Sequence, residues 1–144
     1  MRPATIIAAA CLLLMLAGCG KKEWPTPRVS EDRFGWLDVK GGRADDCLLV
    51  NIQVSGNFEN VSVVTLQLEP IGEGDPSLGC PTCPFQAREV VDFVPGQPGL
   101  EQNGPFLTLS HCGLRSDVLY RWRIVGTNRL PDLGEVRSEV FTTP

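Results

Sequence analysis

Between Cys47 and Ser55 the chain alternates, with Leu48, Val50, Ile52 and Val54 in one set and Leu49, Asn51 and Gln53 in the other. A period of two places these sets on opposite faces of an extended strand, whereas a helix would scatter both around its surface. The pattern recurs. Val64, Leu66 and Leu68 supply the buried face of a run from Val61 to Glu69, and Tyr120, Trp122 and Ile124 point inward between outward Arg121 and Arg123 in a run from Leu119 to Val125. Further apolar runs at Phe34 to Lys40, Phe85 to Val94, Phe106 to His111 and Val136 to Thr143 are bounded by Gly, Pro, Asn and Asp, the residues that reverse a chain. Two longer connections, Ile71 to Pro84 and Pro95 to Pro105, are rich in Gly and Pro. The expectation is all-β: a single antiparallel β-sandwich of about seven strands.

The start of the chain carries a different signal. Ile6 to Ala17 is apolar apart from the Cys11 thiol and follows Arg2. A run of about a dozen residues is too short to cross a bilayer, which takes roughly 20 helical residues, and fits the hydrophobic region of an export leader. It closes in Leu16-Ala17-Gly18-Cys19, which resembles the lipobox of bacterial lipoproteins. That resemblance implies cleavage after residue 18, a thioether from Cys19 to diacylglycerol and acylation of the new amine. Residues 1–18 then form a lipoprotein signal peptide, 19–30 a lipidated start and polar, Pro-rich tether, and 31–144 the folded domain. The foldable part, roughly 115 residues, suffices for one core. Two or more acyl chains hold a protein stably at a membrane where one would not. Gly20 follows the lipidated cysteine instead of the Asp that retains such proteins at an inner membrane, so the expected address is the outer membrane of a bacterial envelope, facing the periplasm or the cell surface.

The last third resembles a fibronectin type III domain. The residues that carry the likeness are Gly113-Leu114, then Tyr120-Arg121-Trp122-Arg123-Ile124-Val125-Gly126-Thr127-Asn128, then Gly134, Ser138 and Phe141-Thr142-Thr143. The resemblance covers about 32 residues and implies an immunoglobulin-like sandwich, with Tyr120 closing the corner before its strand by a hydrogen bond to the backbone a few residues upstream. The chain departs from the pattern in having only aliphatics between Leu48 and Val54, Ser116 in the corner and a longer connection between the third strand and the strand at Phe106.

Beyond Cys19, four cysteines remain in the exported part: Cys47, Cys80, Cys83 and Cys112. An even number in an oxidising compartment implies two disulfides, with three possible pairings. The fibronectin-like arrangement sets the strand starting at Cys47 beside the strand ending before Cys112, which implies Cys47–Cys112 and leaves Cys80–Cys83. Closing a loop of about 65 residues is worth roughly 4 kcal/mol, and one of four residues roughly 2 kcal/mol. Cys80-Pro81-Thr82-Cys83 also admits a thiol-redox reading, and Cys80, Cys83, Cys112 and His111 a Cys3His metal set. The favoured reading of Cys80 and Cys83 is a loop staple, with no metal and no cofactor.

Several functions are disfavoured. The net charge is −4, with 13 basic and 17 acidic side chains and no basic cluster, so a nucleic-acid partner is not expected. His111 is the single histidine, and its neighbours Ser110 and Cys112 belong to the opposite face of a strand, which removes most hydrolase arrangements. Asp45-Asp46 and Glu31-Asp32 read as polar turn residues. Trp36 and Trp122 are assigned to the core and Trp24 to the tether. The expected function is non-enzymatic binding of an envelope protein or a glycan, with thiol-redox or metal handling through Cys80 and Cys83 as the alternative.

Overall fold

The computed structural model describes residues 29–143; the expected leader at 1–18, Cys19 and Trp24 lie outside them. Two antiparallel sheets pack face to face. One has the order β1-β2-β6-β5, built from Phe34–Ala44, Cys47–Gly56, Phe106–Cys112 and Leu100–Asn103. The other has the order β4-β3-β7-β8, built from Glu89–Phe93, Val61–Ile71, Leu119–Asn128 and Glu135–Arg137, with β9, Phe141–Thr143, also paired to β7. In the first sheet this is the A-B-E-D order of an immunoglobulin-like sandwich. A single helical turn, Val29–Asp32, precedes β1, and among the described residues no helix is long and apolar enough to cross a membrane.

The alternating sets fall as the period requires. Leu48, Val50, Ile52 and Val54 face Val64, Leu66, Leu68, Trp122 and Ile124 across the core, all buried, each worth about 1.5–3 kcal/mol in transfer from water. Two tryptophans lock the sheets by seating on glycines of the opposite sheet. A Cβ on Gly126 would overlap the Trp36 ring, and a Cβ on Gly41 would overlap the Trp122 ring. Trp36 is half-buried and donates from Nε1 to the Val136 carbonyl (3.1 Å), while Trp122 is fully buried and stacks on Phe141.

Beyond extensions of two and three residues at the ends of β3 and β7, the strand boundaries differ from expectation in four places. β1 runs past Lys40 to Ala44, because Gly41 and Gly42 pair with Val50 and Leu49 and only Asp45-Asp46 make the turn. Asp45 there takes φ 55°, the left-handed region that Asp tolerates. β4 begins at Glu89 instead of Phe85, since Phe85 leaves the ladder to lie over the Arg123 guanidinium (4.9 Å). The 95–105 connection hides β5, whose Leu100 is buried opposite Leu109. The last strand splits into β8 and β9 because Ser138 stands in for the ladder: its Oγ accepts from the Ile124 N–H (3.0 Å) and its N–H donates to the Ile124 carbonyl (2.9 Å).

Candidate functional site

The ladders define two ends of the sandwich. Phe34 pairs with Gly56 and Val61 with Asn128, so the chain enters the fold at one end. Ala44 pairs with Cys47, Ile71 with Leu119 and Cys47 with Cys112 at the other. That second end gathers the 45–46 turn, the long 72–88 connection and the 113–118 corner. It also carries both disulfides, Cys47–Cys112 across the β2–β6 ladder and Cys80–Cys83 within the long connection.

Three arginines fasten these loops through backbone carbonyls. Arg43 donates to the carbonyls of Val118 (2.9 Å) and Arg115 (2.6 Å). In the same corner the Tyr120 hydroxyl accepts from the Arg115 N–H (3.1 Å), and Leu114 and Val118 are buried beneath. Arg88 donates to the carbonyls of Ser77 (2.7 Å) and Leu78 (3.4 Å). Arg121 donates to those of Cys80 (3.3 Å), Pro81 (3.4 Å) and Cys83 (2.6 Å).

Arg121 is the centre of the arrangement. Its Nη2 pairs with Glu69 Oε2 at 2.6 Å, with side-chain exposures of 11% and 3% respectively. The same carboxylate oxygen accepts from the Gln86 N–H (3.1 Å), and Gly79 packs where any Cβ would meet the carboxylate. A buried carboxylate is costly unless a cation and hydrogen bonds compensate it, and here both come from the strand and the loop it anchors. Arg121 does stand on the outer face of its strand, yet the 72–88 connection folds over that face and buries it. At the far side of the loop Asp75 Oδ1 accepts from the Ser77 hydroxyl (2.6 Å) and N–H (2.8 Å). These bonds, the hydroxyl's first, hold the Asp75 carboxyl below its ordinary value. Exposed at the tip are Cys80, Pro81, Thr82, Cys83 and Pro84.

The alternative Cys3His set does not assemble. His111 Nε2 lies 2.9 Å from Glu89 Oε1 and its ring meets Phe93 edge-on, while Cys112 is bonded to Cys47. Among the described residues no group of three or more His, Cys, Asp or Glu side chains is placed to hold a metal. Ser110 and Cys112 are exposed on the face opposite His111. Two open hollows lie elsewhere on the surface of the described residues. One of about 290 Å³ lies between β1 and β8–β9, lined by Trp36, Leu37, Asp38 and Glu139; another of about 520 Å³ lies at the chain-entry end, lined by Phe58, Pro95, Gln102 and Arg129. Cys19 falls outside the described residues. Comparison with family models and with curated proteins returned no match.

Proposed function

We propose that the chain is a lipid-anchored binding module of a bacterial cell envelope, acylated at Cys19, that presents its disulfide-bearing end to a protein or glycan partner without a catalytic step. One observation carries this reading: the chain enters the sandwich at the Phe34–Gly56 end, opposite the loops at 45–46, 72–88 and 113–118. An anchor before residue 29 therefore leaves those loops facing away from the membrane. Arginine clamps and the Cys47–Cys112 bridge then hold them in one conformation, which lowers the ordering cost of binding. Bridged cysteines suit an oxidising compartment, in keeping with the leader and with an outer-membrane address.

The test labels cells with a fatty-acid analogue and places a photo-crosslinking residue at Thr82 or, at the opposite end, at Glu59. The parent chain is expected to carry label, fractionate with membranes and form an adduct from Thr82 but not from Glu59. Cys19→Ala is expected to carry no label. Unchanged labelling in that variant removes the anchor, and adducts confined to Glu59 invert the presenting end.

A further inference from the structure

The two disulfides differ in what depends on them. Cys47–Cys112 joins paired strands across a separation of 65 residues. Cys80–Cys83 spans a separation of 3, inside a turn already closed by the Cys83 N–H donating to the Cys80 carbonyl (3.2 Å). Everything else that fixes this turn is independent of its sulfurs: Arg121 on three carbonyls, Arg88 on two, Glu69 on the Gln86 N–H and Arg123 under Phe85. Both cysteines are exposed, so the bond stands at the surface, where a dissolved thiolate meets this turn. The Thr82 hydroxyl lies 3.4 Å from Cys80 Sγ, placed to donate to that sulfur once it is a thiolate.

We infer that Cys80 and Cys83 form a two-electron redox pair, opened and closed by a soluble dithiol within the folded domain while Cys47–Cys112 stays shut. A thiolate of the dithiol attacks Cys83 Sγ. The S–S bond breaks, and its electron pair leaves on Cys80, where the Thr82 hydroxyl stabilises the thiolate before water protonates it. The second thiol of the reagent, deprotonated, then attacks the reagent's own sulfur in the mixed disulfide and expels Cys83 as a thiolate, which is protonated in turn. The chain has gained two electrons and two protons, and the reagent leaves as its disulfide. Because the arginines keep the carbonyls of residues 80, 81 and 83 in place, the two thiols stay near each other and the reverse reaction needs no refolding.

The inference does not rest on acylation or on a binding partner. Its test equilibrates the full exported chain with graded mixtures of reduced and oxidised dithiothreitol, traps thiols by alkylation and locates them by peptide mass. Expected is a range of mixtures in which Cys80 and Cys83 are labelled, Cys47 and Cys112 are not, and amide exchange in β3 and β7 stays slow; excess oxidant then erases the label. The inference fails if the bridges open together, if Cys47–Cys112 opens first, or if β3 and β7 lose protection as Cys80–Cys83 opens. A Cys80→Ser, Cys83→Ser variant adds a second reading. Its denaturation midpoint is expected to fall by less than that of a Cys47→Ser, Cys112→Ser variant, and an equal or larger fall overturns the inference by making the bond a structural staple.

Discussion

The two ends of the sandwich solve the same problem with different chemistry. At the chain-entry end the turns are short, and neutral amides suffice: Asn60 and Asn128 both donate from Nδ2 to the Asp32 carbonyl, at 2.9 and 3.1 Å. At the other end a long connection without a ladder leaves many carbonyls unpaired. Arg88 and Arg121 bind carbonyls there, Arg43 binds those of the 113–118 corner, and two disulfides close the chain. Guanidinium brings five donors in a fixed fork, so one side chain can serve several carbonyls where an amide serves one or two. The comparison teaches that irregular backbone near a sheet edge is held by charge, and that the charge must itself be balanced, here by Glu69.

Arg121→Met puts the greatest strain on this contrast. Removing the cation leaves Glu69 buried with only the Gln86 N–H, and breaking such a pair costs about 3 kcal/mol or more. The denaturant midpoint is expected to fall accordingly, with amide exchange accelerated across 72–88. Adding Glu69→Met should recover part of the loss, because the buried charge goes with its partner. If Arg121→Met costs no more than an amide deletion at the opposite end, the two ends are held equally and the contrast is wrong.

The Tyr120 corner sharpens the comparison from within the clamped end. Its hydroxyl accepts a backbone N–H beside two buried apolar residues, so Tyr120→Phe should cost about 1–3 kcal/mol by leaving that donor unpaired. Arg43 holds the same corner through other carbonyls, and the corner should therefore loosen without detaching. A negligible change in the midpoint would show that the arginine alone fixes it.

The sandwich was legible wherever burial is one-sided. The alternation from Leu48 to Val54 and from Tyr120 to Ile124 reports a buried face directly, and both sets are buried. β5 was not legible, because Glu101, Gln102 and Asn103 are exposed and Leu100 alone marks the core. The clamps were hidden for another reason. Arg121 sits in the alternating pattern as an outward residue, and its role appears only when a loop some forty positions earlier folds over it, with Cys83 at a separation of 38 and Cys80 at 41. A signal was available in Glu69 and Arg121, opposite charges on two of the apolar runs, with Glu69 next to a long Gly- and Pro-rich connection. Periodicity carries nothing about carbonyls that distant in sequence.

The smallest effect is expected at the chain-entry end. Asn60→Ala removes one of the two amides on the Asp32 carbonyl, and Asn128 keeps its own bond there. The backbone of residue 60 holds its place independently, since its N–H donates to the Asn57 carbonyl and its carbonyl accepts from the Arg129 N–H. One neutral hydrogen bond at a half-buried position is worth about 1 kcal/mol. The urea midpoint should shift by that amount, with faster exchange confined to the start of β1 and the 56–60 turn. Because these bonds lie at the opposite end from Arg121, the two losses should add within about 0.5 kcal/mol. A combined cost well above the sum would mean that the ends communicate through the core, and that neutral amides and charged clamps secure one cooperative unit instead of two local ones.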